Sequence, residues 1–198
     1  ICAEINLSVQ HHLLANCPLD RIEKIYSKPE VFAQCQRWLT ETGHQSHTIA
    51  VASSSRAAEM AAEEANAAAI GSELASEIYG LRKICDRIED DPGNVTRFLV
   101  VGRDSARPTG SDKTSMLFMA SDKPGSLVEV LDVFRRADIN MSFIESRPSR
   151  RKKFEYCFFV DIIGHAATPE IAAAIEASRQ HCSTLRVLGS FPRADEVV

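Results

Sequence analysis

SMLFMASDKPGSLVEVLDVFRRADINMSFIES, residues 115–146, decides the fold of the C-terminal half. Residues 115–121 read as an apolar strand that ends where Pro124-Gly125-Ser126 breaks the chain. Leu127, Val130, Leu131 and Phe134 then recur at i, i+3, i+4 and i+7, which predicts a helix over 127–136. Residues 139–145 alternate as a strand with Ile139, Met141 and Phe143 inward. Working outward, 148–153 read as a basic turn and 154–163 as a long strand. Thr168-Pro169-Glu170 reads as the capped start of a helix running to 182, and 185–188 as a closing strand. This is βαββαβ, the ferredoxin-like plan. A four-stranded sheet with both helices on one face leaves its other face or edge to be covered, so dimerisation is expected.

Ahead of this unit, GRDSARPTGSDKTS (102–115) is polar and rich in Gly, Pro, Ser and Asp, between the apolar runs Phe98-Leu99-Val100-Val101 and Met116-Leu117-Phe118-Met119. It has the composition of a linker. The division expected is 1–102, a linker over 103–114, and 115–198. Residues 1–9 alternate as a strand with Ile5, Leu7 and Val9 on one face. Ile25-Tyr26 is a short strand ending at Ser27, and Pro29 suits the first turn of a helix with Phe32, Cys35, Trp38 and Leu39 as its apolar stripe. Thr48 opens a strand over 48–52, Ser53, Ser54 and Ser55 cap an alanine-rich helix over 56–64, and 67–70 form a strand before a helix from Gly71-Ser72 to Tyr79. Strand and helix alternate, which predicts an α/β layer with a mostly parallel sheet. Its serine-bearing turns lie at strand C-terminal ends, where such sheets bind ligands and helix N-termini favour anions.

With 198 residues, 44% hydrophobic and 25% charged, the chain has ample material for a core and is not disordered. A net charge of −4 argues against nucleic acid or an anionic membrane as partner, and no apolar run approaches the ~18 residues of a membrane span. The six cysteines are scattered, without a CxxC pair or a Cys/His cluster at metal spacing. They read as reduced thiols of a cytoplasmic protein that holds no metal. His11-His12 is no metal pair, because adjacent side chains diverge. No secretory signal opens the chain. The absence of Met at position 1 points to a piece of a longer protein.

Asn94-Val95-Thr96-Arg97-Phe98, following Tyr79-Gly80-Leu81 and Ile88-Glu89-Asp90, resembles the Thr-Arg-Phe signature of prephenate dehydratases. Gly125-Ser126-Leu127 and Glu145-Ser146-Arg147-Pro148 are similar to the two phenylalanine-binding motifs of the ACT domain those enzymes carry at their C-terminus. Ala69-Ile70-Gly71-Ser72-Glu73-Leu74-Ala75 and His11-His12-Leu13-Leu14 fit the same family. The resemblance implies an α/β chain: a partial periplasmic-binding-protein-like dehydratase lobe, then a ferredoxin-like ACT domain. It implies conversion of prephenate to phenylpyruvate in L-phenylalanine biosynthesis, without a cofactor and with L-phenylalanine as effector. It also implies a homodimer through the ACT domains, or a tetramer.

By the same resemblance Arg97 forks onto a substrate carboxylate and Thr96 hydrogen-bonds the departing hydroxide. Ser27 and Gln34 complete the catalytic set, and Ser53, Ser54 and Phe98 contact substrate. Gly125, Ser126, Leu127, Glu145, Ser146, Arg147 and Pro148 form the phenylalanine site. Lys28 and Glu30 stand where the family usually has His and Gln, and Ser54 replaces a commoner Thr. Family members also carry a further segment ahead of this stretch, including a Glu-Asn-Ser motif. Plainer readings stand beside these. Thr96-Arg97-Phe98 could simply open a strand with Arg97 solvated, the serines could be helix caps, and the basic run 147–153 a solvated turn. Two other functions remain: a phenylalanine-binding regulator without dehydratase activity, and an amide or acyl hydrolase using a serine or an N-terminal nucleophile such as Cys2.

Overall fold

The computed structural model describes residues 1–120, 123–149 and 156–194. By internal packing the chain forms two compact units, one of Ser8–Thr96 and one of Ile1–Leu7 with Arg97–Val198. The first strand, β1 (Ala3–Ser8), belongs mainly to the latter.

The unit of Ser8–Thr96 contains β2 (His12–Ala15), β3 (Lys24–Ser27), α1 (Pro29–Gln34), α2 (Gln36–Glu41) and β4 (Thr48–Ala50). It continues with α3 (Ser54–Glu63), β5 (Ala67–Gly71), α4 (Glu73–Tyr79) and β6 (Arg82–Cys85). The strands form one five-stranded sheet in the order β4-β3-β5-β2-β6. β3 runs parallel to β4 and β5, as the strand–helix alternation requires, but β2 is antiparallel to both β5 and β6. The sheet is therefore mixed rather than mostly parallel. The strands added to the expectation are short, and their sequences, His-Leu-Leu-Ala and Arg-Lys-Ile-Cys, lack a period-two pattern.

Small side chains set the layer spacing. β5 is buried along its whole length, and α3 lays Ala57, Ala58 and Ala61 against Ala67 and Ala69. Methyl on methyl lets helix and sheet approach closely. A second apolar cluster joins Leu13, Ile25, Ile70, Val31, Cys35 and Leu39, with Trp38 packed against it. Burial there pushes the Cys35 thiol up to about 12, whereas the other cysteines are only half-buried. The stripe from Phe32 to Leu39 is one face of two helices, not one. The chain breaks at Cys35 (φ −122°), where Asp90 intervenes: its N–H donates to Gln34 O at 2.7 Å and its carboxylate accepts from Arg37 N–H at 3.0 Å.

In the other unit β1 pairs with β7 (Val95–Val100) as a two-stranded ribbon. The face that Ile5 and Leu7 share turns outward, the two being 46% and 42% exposed, while Glu4 on the opposite face is buried. The electrostatic partners of Glu4, described below, decide that orientation. Then follow β8 (Asp112–Ala120), α5 (Ser126–Arg136), β9 (Met141–Pro148), β10 (Tyr156–Ile163), α6 (Pro169–Arg179) and β11 (Cys182–Pro192). Their sheet order is β11-β8-β10-β9, antiparallel throughout, as the βαββαβ reading requires. Met116, Phe118, Val130, Phe134, Val160, Ile162 and Ile175 form its core. Phe143, expected inward, lies half out of it. The register slips between Asp161 and Ile162, so Met141 pairs with Ile162 while Phe143 pairs with Asp161 on the opposite face. Ser121, the turn residues 150–153 and the strand start at 154–155 lie outside the described residues.

Candidate active site and effector segments

Within the unit of Ser8–Thr96 a cavity of about 330 Å³ opens beside the C-terminal ends of β3 and β5. Its wall includes Thr96, Gln34, Ser54, Ser72, Asn94, His11 and Lys28. The topology explains the convergence. Parallel β3 and β5 end on the same edge, delivering Lys28 and Gly71-Ser72, and the chain after β4 delivers Ser54. Because β2 runs antiparallel to β5, His12 pairs with Gly71 and His11, just before β2, comes to that edge too. Gly71 itself leaves little room: a Cβ there would stand 3.3 Å from Leu14 Cδ1.

The side chains divide into those anchored and those facing the cavity. His11 Nε2 lies 2.7 Å from Gln34 Oε1, and the His11 N–H donates to the Glu89 carboxylate at 2.9 Å. The Gln34 amide oxygen can only accept, so the His11 ring N–H donates to it, and Gln34 itself lines the cavity. Ser72 precedes α4 without capping it through its side chain, so its hydroxyl is left for the cavity. Ser53 is the cap the plainer reading expected: it accepts the Arg56 N–H at 3.1 Å and does not line the cavity. Ser27 also departs from expectation. It is fully buried and donates to Ile70 O at 2.9 Å, locking β3 to β5 behind the cavity wall.

Arg97 and Phe98 belong to the other unit. There Arg97 Nε donates to Glu4 Oε2 at 2.6 Å and Nη1 stands 2.5 Å from Asp161 Oδ2, so the guanidinium is already held by two carboxylates. Lys113 Nζ donates to Glu4 Oε1 at 2.9 Å, and Ser115 Oγ donates to Asp161. Burial alone would raise the Glu4 pKa. The Ala194 N–H, Lys113 and Arg97 outweigh it and hold Glu4 below the usual carboxylate range. The fork expected to meet a substrate carboxylate thus ties the β1–β7 ribbon to β10. Phe98 is half-exposed and lines neither this cluster nor the cavity.

The two effector segments lie in that unit as well. Gly125 sits at the N-terminus of α5 with φ +83°, and a Cβ there would meet nothing within 4 Å, so within one chain it is the backbone angle that demands glycine. Ser126 is buried and Leu127 packs against the core. Glu145, Ser146, Arg147 and Pro148 end edge strand β9, and Arg147 Nη2 pairs with Glu145 Oε1 at 2.6 Å. Among the described residues no group of three His, Cys, Asp or Glu side chains is arranged to hold a metal. No described helix is long and apolar enough to cross a membrane.

The chain thus combines an α/β unit with a polar cavity at its strand ends and a βαββαβ unit. The prephenate dehydratase family model matches residues 1–106, and the ACT domain model matches residues 114–180. The chain belongs to the prephenate dehydratase family and carries an ACT domain. It is 42% identical over 196 residues to the bifunctional chorismate mutase/prephenate dehydratase of Stutzerimonas stutzeri, covering 98% of this chain and 54% of that one. The chain thus spans about half the length of such curated relatives. Among solved structures, the prephenate dehydratase from Arthrobacter aurescens in complex with L-Phe matches with TM-score 0.87 and 32% identity, over 98% of this chain and 66% of that one. GqqA, a quorum quenching acylase, matches with TM-score 0.86 and 27% identity, over 98% and 72%.

Of the residues facing the cavity, Thr96, Gln34 and Ser54 were named from the sequence. His11, Lys28 and Asn94 were not assigned to the site. Alternating direction of β2 against β5 brings His11 there, and a strand as short as His-Leu-Leu-Ala gives no periodic signal of it.

Proposed function

We propose that the protein is a prephenate dehydratase of L-phenylalanine biosynthesis, acting in the cytoplasm without a cofactor. The observation that carries this reading is the Thr96 hydroxyl in one cavity with Ser54, Ser72, Asn94 and the Gln34 amide. In the reaction the ring carbon–carboxylate bond breaks and its electron pair enters the ring. The ring carbon–hydroxyl bond breaks with its pair on oxygen, so the dianion yields phenylpyruvate, carbon dioxide and hydroxide, which a proton converts to water. Aromatisation drives the step. What the chain supplies is orientation and a hydrogen-bond donor for the leaving oxygen, the role of Thr96. That hydrogen bond strengthens as charge develops, so Thr96→Ala lowers kcat of the protein at its native length about 10²-fold with little change in KM. An unchanged kcat refutes the role.

The ACT domain supports a second half of the proposal, binding of L-phenylalanine. Its carboxylate meets the free N–H groups at the start of α5 beside Gly125, Ser126 and Leu127. Its ammonium is received at Glu145 to Pro148 of a second copy, which makes the protein a homodimer or a tetramer built from such pairs. Bound effector then raises Tm, by about 2.7 kcal/mol of added stability at 100 times its Kd. Gly125→Val removes the response. Calorimetry without heat or Tm shift at millimolar L-phenylalanine refutes it. The likeness to GqqA favours one competing reading, an acyl-amide hydrolase using a cavity serine. Release of acid from an N-acyl amide with no phenylpyruvate from prephenate would replace the first reading by this one.

A further inference from the structure

A dianion leaving water needs a cation, and hydroxyls and amides alone do not neutralise it. Arg97, the residue whose chemistry suits that task, is held by Glu4 and Asp161 in the other unit. Among the described residues lining the cavity, Lys28 is the one permanent cation. It stands at the junction of β3 and α1, half-buried, and its ammonium makes no ion pair or hydrogen bond among the described residues. Its main chain is fixed: the Val31 and Phe32 N–H groups both donate to Lys28 O at 3.1 Å. A flexible four-carbon stem on a rigid base, beside a polar cavity, is a carboxylate receiver without an internal partner. Glu30, exposed and on the same wall, opposes any anion that Lys28 does not meet directly.

We infer that Lys28 grips the carboxylate of the substrate's pyruvyl side chain. The inference rests on the dehydratase reading and deepens it. Of the two carboxylates, the one on the ring departs as carbon dioxide, and a cation held on it would stabilise the ground state against that loss. The pyruvyl carboxylate carries the same charge in substrate, transition state and product, so a cation there binds all three alike. Lys28 accordingly acts on affinity rather than on the chemical step, and it holds the product as well as the substrate.

The test compares Lys28→Met, Lys28→Arg, Glu30→Gln and Thr96→Ala in the protein at its native length, using prephenate as substrate and phenylpyruvate as product inhibitor. Lys28→Met raises KM for prephenate and Ki for phenylpyruvate in parallel, each about tenfold, with a smaller change in kcat. Lys28→Arg restores most of both, and Glu30→Gln lowers both. Added salt raises KM for the parent protein and has less effect on Lys28→Met, since screening removes what the substitution has already removed. A KM that does not move in Lys28→Met, or that moves without Ki, overturns the inference while Thr96→Ala still loses kcat. If Thr96→Ala keeps its kcat, the dehydratase reading itself has failed. Lys28 caps nothing through its side chain, and circular dichroism of Lys28→Met that matches the parent confirms that any KM change is local.

Discussion

Replacing Arg97 by Met exposes how the β1–β7 ribbon is held. The Glu4 side chain is fully inaccessible and that of Asp161 is 4% exposed, and Arg97 bonds both. Without it Glu4 keeps Lys113 and the Ala194 N–H, whereas among the described residues the Asp161 carboxylate keeps only the Ser115 hydroxyl. Removing one partner of a buried ion pair costs about 3–5 kcal/mol, because the remaining charge stays desolvated. Arg97 is itself 25% exposed, and water reaching the vacated space lowers the figure to about 2–3 kcal/mol. In a unit of this size each kcal/mol moves Tm by roughly 4 °C or more, so Arg97→Met lowers its transition by about 10 °C. Asp161→Asn in the same chain removes the stranded charge while retaining an acceptor for Ser115, and it recovers about half of the loss. Differential scanning calorimetry of the two variants at neutral pH reads both effects. A loss below about 1 kcal/mol, or a double variant worse than the single, refutes the view that these carboxylates depend on Arg97.

Two further outcomes are expected. His12 is buried and accepts the Arg87 N–H at Nδ1, and burial together with Lys83 lowers its pKa against the opposing pull of Asp86, Glu73 and Glu89. The unfolded chain therefore takes up this proton first on acidification. The stability contributed by His12 is complete above its ordinary pKa of about 6.5 and is lost as pH falls toward the folded-state value. Urea unfolding followed by the single Trp, Trp38, between pH 5 and 8 measures this, and His12→Gln flattens the slope. Gly189 lies against the main chain of Ile1, where an added Cβ would come within 1.9 Å of the carbonyl oxygen. Gly189→Ala pushes the N-terminal segment off β11 and lowers Tm, and an unchanged Tm would show that the segment moves aside freely.

Much of this was legible from residues 115–146, where helix and strand periods are long enough to declare themselves and the turn at Pro124-Gly125 punctuates them. Phe143 misled because the unpaired Ser142 slips β9 by one residue against β10 and turns Phe143 over, and alternation alone carries no trace of such a bulge. The candidate site was legible as a set of residue types at strand ends, and only partly as an arrangement. Ser27 has the right chemistry one residue before the cavity, but its hydroxyl faces the neighbouring strand. Arg97 follows Thr96 directly, and in a strand consecutive side chains point to opposite faces. A motif written as three letters conceals that alternation. The burial of Glu4 depends on Lys113 and Arg97, about a hundred residues later in the chain, beyond the reach of any local pattern.

Residues 1–7 have a consequence for how the chain is made. The Ile1 main-chain nitrogen donates to Leu188 O, and Glu4 and Asn6 both bond Ala194. On the ribosome, at about 5–20 residues per second, the Ile1 segment waits roughly ten to forty seconds for those partners to be synthesised. Residues 8–96 make their own sheet in that interval, so the central unit can be finished while the ribbon strand that precedes it remains without a place. Until β7 is made the edge of β1 is open to other chains, and until β11 follows its Ile1 end has no partner. The segment most exposed to misassembly during translation is thus the one made 187 residues before its partner on β11.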